Sequence, residues 1–442
     1  MSRKLVLLTS LMIAVIGMLG IALKAQRVKA NQTIYIRADG LVDPSTPLIR
    51  RNGNLYTFTD NIFDEIIIEK DNVVVDGAGY TIRGTGDGIG IDLSGKGNIT
   101  IKNMKIEAFG YGICLYESSN SSIYGNSVTN NTEGIEVSCS SNARIYGNEV
   151  RANDHYGVRL GYSSNVTICR NNVTDNEYYG IRLGQSSNVT IRENNITDNG
   201  YCGIMLYNFS NNNSICGNNI KVNKQYGIRL QDSSGNFIYH NNFVNNTIQI
   251  YTEDSVNVWG DGLEGNYWSD YDRADTNRDG IGDSPYLITR SPTTPPELRQ
   301  FDYYPLMGVF YSFFISLGYR VNVISNSTIR DFEYFESNGT IRMCVSNVTA
   351  DQGFCRICIP HELIGASNIS VVIDGGLTPV LYQNYSLFSN GTNVWIYFAY
   401  PSSAHEIDII PEFPSFVIQP LFMIATLLAV TVCRRKHFHV TA

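Results

Sequence analysis

At 442 residues the chain is too long for one ordinary hydrophobic core, so several domains are expected. A formal net charge of −8 and a pI near 5.3 argue against phosphate backbones as partners, which sets nucleic acid aside.

Residues 1–30 are basic at Arg3 and Lys4, apolar from Leu5 to Leu23, and end on Val28-Lys29-Ala30, small residues at the spacing of a signal-peptidase site. The apolar run is also just long enough to cross a bilayer, so an uncleaved signal anchor is the alternative. Either way the chain is exported. Residues 31–83 hold two apolar runs, Ile66 to Ile68 and Val73 to Val75, followed by DGAGYTI, a strand, turn and strand pattern. They are expected to form an N-terminal cap and a first coil, covering an apolar end and an unpaired edge.

Residues 84–256 repeat one phrase. IGIDL, YGICL, EGIEV, YGVRL, YGIRL, CGIML and YGIRL align on Gly90, Gly112, Gly134, Gly157, Gly180, Gly203 and Gly227, in steps of 22 to 24 residues. Each unit carries a second phrase such as SSNVTI and a third such as NNV or NNI. Three short β-branched runs broken by Asn, Ser and Gly within so few residues are strands, and each unit is one coil of three of them. Asparagines recur at three offsets, in columns that begin at Asn120, Asn126 and Asn131. Coils stacked about 4.8 Å apart would turn each column into a ladder of side-chain amides. Ile or Val one residue after the glycine and Leu or Val three after it point inward, while the residue between them points out.

These phrases resemble the NosD-like proteins and the carbohydrate-binding and sugar-hydrolase (CASH) repeats. The resemblance implies an all-β, right-handed parallel β-helix with three strands and about 22–24 residues per coil; spacing alone requires only stacked, coiled strands.

Two residues after each aligned glycine stand Cys114, Glu136, Arg159, Arg182, Met205 and Arg229, with Asp154, His155 and Glu177 at the corner before. Arg159, Arg182, Arg229, Asp154 and Glu177, flanked by Tyr156, Tyr178, Tyr179 and Tyr201, suit a glycan held by bidentate hydrogen bonds and ring stacking. The same pattern also suits a plain solvated face. Asp154 and Glu177 on adjacent coils approach the separation that glycoside cleavage needs. A lyase would use a base such as Arg159 or Arg182 beside bound Ca²⁺, yet no aspartate cluster accompanies them in the repeat, and no catalytic residue is assigned. A NosD-like copper-maturation role would need grouped His, Cys or Met. Here Cys114, Cys139, Cys169, Cys202, Cys216, His155 and His240 are scattered, with Cys169 and Cys216 two coils apart.

Residues 257–310 change texture, and GNYWSDY, DGIGDSPY and DYYPL resemble the segment that ends many NosD-like helices. Trp259, Tyr267, Trp268 and Tyr271 are suited to cover the last open coil. Within this cap Asp275, Asn277, Asp279, the Ile281 carbonyl and Asp283, with Gly280 at the turn, match a structural Ca²⁺ loop lacking the EF-hand glutamate, since Tyr286 stands there. A simple Asx-rich turn is the alternative. SPTTPPEL is expected to be a surface loop of this cap.

Residues 315–410 alternate in short runs joined by SNGT, DGG and SNGT, predicting a β-sandwich accessory domain of about seven or eight strands. Cys344 is placed to pair with Cys355 or Cys358 across one hairpin. Sequons such as Asn98, Asn165 and Asn188 are candidate glycan acceptors, with those in the asparagine columns expected to be sterically blocked. Residues 411–436 run from Pro411-Glu412-Phe413 through an apolar stretch to Arg434, Arg435 and Lys436, leaving 437–442 as a cytoplasmic tail. This resembles an archaeal PEF-type sorting signal, which implies replacement by a lipid anchor; a retained transmembrane helix is the alternative. The expected protein is a membrane-tethered surface β-helix that binds carbohydrate or serves as an adhesive, the runner-up being a polysaccharide lyase or glycoside hydrolase.

Overall fold

In a computed structural model, residues 33–288, 299–315, 318–346, 352–364, 368–374, 380–381 and 386–412 are described. Residues 1–30, SPTTPPEL and 413–442 lie outside them, as does the membrane segment expected beyond Glu412. None of the described helices is long and apolar enough to cross a membrane.

Each repeat closes one turn of a right-handed parallel β-helix of about nine turns. Three sheets of 11, 9 and 10 strands run along its axis. The repeat sets the register: Tyr156–Gly161 pairs with Tyr179–Gly184, which pairs with Cys202–Tyr207, keeping Val158, Ile181 and Ile204 in one inward column. Ile181, Leu183 and Ile204 are fully buried, as their positions after the glycine require. Glycine is needed in that column because a Cβ on Gly157 would sit 2.7 Å from the Gly180 carbonyl oxygen.

Two of the three expected asparagine columns are ladders. In the second, Asn148, Asn171 and Asn194 are buried, and each Nδ2 donates both to the next Asn Oδ1 and to a backbone carbonyl. The third, through Asn153, Asn176 and Asn199, repeats the arrangement. The first is not a ladder. Asn120, Asn142, Asn165, Asn188 and Asn212 are exposed with φ between 52° and 57°, turning the corner in the left-handed region that Asn tolerates. The buried ladder at that corner is of serine, Ser140 to Ser163 to Ser186. Asn165 and Asn188 therefore present open rather than blocked sequons.

Antiparallel pairings of Ile34–Ile36 with Val42–Asp43, and of Ile49–Asn52 with Leu55–Phe58, close the N-terminal end. At the other end Trp268 stacks between Phe243 and Tyr286, 4.3 Å from each, and its indole N–H donates to the buried Asp302. Burial pushes the Asp302 carboxyl up to about 6.

Beyond the cap, two five-stranded antiparallel sheets share one core, with Ile357 and Phe398 facing Ile341 and Ile407. Among the described residues that is ten strands rather than seven or eight, beginning at Val309–Phe314. Cys344 lies in one sheet and Cys355 and Cys358 in the other, and all three thiols are free, so the expected pairing does not form. This unit packs on the helix through Arg320–Glu193 at 2.9 Å and Arg356–Glu264 at 2.8 Å.

Candidate functional site

The glycine strands present their outward side chains as columns on the 11-stranded sheet. One reads Tyr111, Glu133, Tyr156, Tyr179, Cys202 and Tyr226; the next reads Cys114, Glu136, Arg159, Arg182, Met205, Arg229 and Tyr251. Tyr156, Tyr179, Tyr201, Tyr226 and Tyr251 form a continuous run of rings with centroids 5.4 to 5.6 Å apart. The expected arginine and tyrosine face is therefore one connected surface.

Arg182 is half-buried rather than freely exposed. Its guanidinium carbon lies 4.1 Å from the Tyr207 ring centre, 5.1 Å from that of Tyr156 and 5.7 Å from that of Tyr179. Tyr207 reaches it because Gly184 lies beneath the ring, where a Cβ would meet ring atoms at 2.5 Å. Arg182 makes no ion pair among the described residues, and its Nε is enclosed without a hydrogen-bond partner. The Arg182 charge is thus held among aromatic rings and not by a carboxylate, and the Nε of Arg229 is enclosed without a partner in the same way. Arg229 differs in donating to the Tyr201 hydroxyl at 2.5 Å and to Glu253 at 3.4 Å.

Arg159 faces the other way. Its Nη1 lies 3.0 Å from Glu136 Oε1 and 3.8 Å from Glu133 Oε2. These glutamates share one strand, Glu133–Ser138, and converge on the same Arg159 nitrogen, while Glu136 also accepts from the Ser138 hydroxyl. Both Oε2 atoms are enclosed and the Glu133 side chain keeps 12% of its surface. Burial, with the adjacent Glu136 charge adding to it, pushes the Glu133 carboxyl up to about 7. Two like charges that close cannot both ionise cheaply, so the pair holds a proton near neutrality.

Asp154 and Glu177, the acid pair suggested by the repeat, both stand exposed at the corner and form no ion pair with Arg159 or Arg182 among the described residues. The pair that the fold brings together is Glu133 with Glu136. Its sequence signal was present: EGIEV is the repeat in which both outward positions are acidic.

In the cap loop, Asp275 accepts from the Asp279 and Gly280 amides, Asp279 accepts from the Ile281 amide, and Asp283 accepts from Thr276. The loop thus closes on its own N–H and hydroxyl donors. Among the described residues no group of three or more His, Cys, Asp or Glu is arranged to hold a metal ion. Cys169 and Cys216 are separated in their column by Arg192.

A family model described as periplasmic copper-binding protein (NosD) matches residues 65–273, somewhat less than half of the chain. No curated protein gives a significant match. Among solved structures, the periplasmic alginate epimerase AlgG is 18% identical, covering 49% of this chain and 70% of that one, with a TM-score of 0.32. The Azotobacter vinelandii mannuronan C-5 epimerase AlgE6 A-module is 15% identical over 47% and 72%, TM-score 0.35. The Dettilon tailspike protein is 15% identical over 81% and 87%, TM-score 0.32. At these levels the likeness concerns the fold alone.

Proposed function

We propose that this is an extracytoplasmic β-helix protein whose arginine and tyrosine face binds an acidic carbohydrate, with the anion seated on Arg182. Similarity to a family described as periplasmic supports the location. The observation that carries the binding reading is Arg182 itself, its guanidinium cradled by three tyrosine rings and without an ion pair among the described residues. Tyr156 and Tyr179 supply ring faces beside it, and the stacked coils repeat that surface along the axis as a polymer repeats its sugars. We also propose that residues 411–436 tether the protein to the membrane, as a sorting signal or a retained helix; detergent-dependent extraction of the native protein tests this.

Binding of the purified protein to polymannuronate, compared with the same polymer after reduction of its carboxylates, tests the main reading. Arg182→Ala is expected to weaken acidic-polymer binding by about 1 to 3 kcal/mol, the worth of a charge-assisted contact. Equal retention of acidic and reduced polymers, or unchanged affinity in Arg182→Ala, would remove this face from consideration.

A further inference from the structure

The Glu133 and Glu136 pair is not needed to bind an anion and opposes it by charge, so its place on the same face, two coils before Arg182, calls for another role. Glu133 is the strand partner of Tyr156, over whose ring the Arg182 guanidinium lies at 5.1 Å. A uronate carboxylate seated on Arg182 therefore brings that sugar's own ring toward Glu133. We propose that Glu133 is an acid–base residue for β-elimination on a uronate polymer, taking the C5 proton of a sugar whose carboxylate is held by Arg182.

The inference rests on the binding reading above and adds a reaction to it. The step balances within the substrate. The C5–H and C4–O bonds break, the C4=C5 bond forms, and the proton passes from C5 through Glu133 to the departing O4 oxygen. Arg182 stabilises the charge that builds on the carboxylate as C5 loses its proton. A carboxyl poised near neutrality, about 7 for Glu133, suits both halves of that transfer. Glu136 and Arg159 are positioning residues: Arg159 lies against both carboxyls, and the two charges set how readily Glu133 ionises.

Geometry also narrows the chemistry. Epimerisation needs a proton donor on the opposite face of C5, whereas both carboxyls lie on one side, on one strand. A single acid–base group on one face performs syn elimination, which requires H5 and O4 on the same side of the sugar. Mannuronate and glucuronate meet that condition; galacturonate, with axial O4, does not.

The groups facing the pair are Tyr111 and Cys114 from the preceding strand, Tyr156 and Arg159 from the following one, and Arg182 beyond. Of these Arg159 and Arg182 favour ionisation of Glu133, and Glu136 opposes it.

The test uses the full-length protein with polymannuronate and polygalacturonate, reading ultraviolet absorbance of the unsaturated uronate alongside calorimetric binding. The wild type should release unsaturated product from polymannuronate and not from polygalacturonate, at a rate that rises as pH passes through the Glu133 titration. Glu133→Gln should lose about a hundredfold or more in rate while its dissociation constant stays within a few-fold. Glu136→Gln should move the pH limb downward, because the opposing charge is gone. Binding without product from the wild type would overturn the elimination and leave the binding reading intact. Equal cleavage of both polymers, or a Glu133→Gln variant that binds and reacts normally, would overturn the role of Glu133. Failure to bind either polymer would overturn both readings together.

Discussion

Truncating Asn171 tests whether the side-chain ladders hold the coils together. Its Nδ2 donates to the Ile145 carbonyl at 2.9 Å and to Asn194 Oδ1 at 3.0 Å, and its Oδ1 accepts from both the backbone and side-chain nitrogens of Asn148 at 3.0 Å. Asn171→Ala leaves the Ile145 carbonyl and the Asn148 N–H without those partners in a site from which solvent is excluded. At about 1–3 kcal/mol per orphaned buried group, the loss is expected to be about 4 kcal/mol. Asn172 supplies the control one residue along: it is exposed, its Oδ1 accepts only from Asn195 at 2.7 Å, and Asn172→Ala should stay within about 0.5 kcal/mol. Denaturant titration gives the difference in midpoint, and hydrogen exchange at the Asn148 amide reports it locally. If the two variants unfold at the same midpoint, the ladder is a consequence of stacking rather than a cause of it.

Leu183, fully buried between Leu160 and Leu206 in its column, should cost about 2 to 5 kcal/mol when replaced by Ala, read as a fall in thermal midpoint. Gly180→Ala should destabilise by about 1 to 3 kcal/mol or more, since its Cβ would lie 2.7 Å from the Gly203 carbonyl oxygen and 2.9 Å from Asn199 Nδ2; normal folding would show that the coils can spread. Because the folded-state affinity of Glu133 for its proton is raised, its contribution to stability is full below the unfolded value near 4.5 and is lost as pH rises through about 7. Glu133→Gln should therefore stabilise the protein at pH 8 by about 1 kcal/mol, discounted for partial solvation, and leave it unchanged at pH 4; the reverse trend in paired melts would refute the assigned direction. Calcium remains a proposal: an ion would have to draw Asp283 away from Thr276, and would relieve Asp275, whose carboxyl is raised by burial and by the Asp279 charge. A thermal midpoint that rises with Ca²⁺, by an amount equivalent to about 2.7 kcal/mol at a hundredfold excess over the dissociation constant, and that Asp275→Asn abolishes, is the expected result; an indifferent midpoint would leave the loop a turn.

The coils were legible because a parallel β-helix translates a fixed spacing directly into a column. Once Gly157 and Gly180 are aligned, Val158 and Ile181 must share the core, and no long-range information is needed. The same logic overreached at Asn120, Asn142 and Asn165, since a column of asparagines fits two different roles. At the corner the residue is chosen for its backbone, in the left-handed region; at Asn148 and Asn171 it is chosen for its amide. Only burial separates them. The cysteine pairing failed for a related reason. Adjacent hairpin-like runs suggested one sheet, but the chain crosses between two sheets after Ser346, which sequence alternation does not record.

The site was harder to read because the chemistry sits where the repeat departs from itself. A search for acids at the corners finds Asp154 and Glu177, which stand exposed. On the face, the first outward position is tyrosine at Tyr111, Tyr156, Tyr179 and Tyr226, interrupted by Glu133 and Cys202, and in the next column Glu136 stands just before Arg159 and Arg182. Nothing about coil stacking asks for either glutamate. Placing both on one strand opposes folding at neutral pH, and Arg159 offsets that only in part, since each Oε2 remains without a hydrogen-bond donor. A repeat that carries a destabilising exception at one coil, two coils before an arginine left without an ion pair among the described residues, is the reason the proposed site is put there.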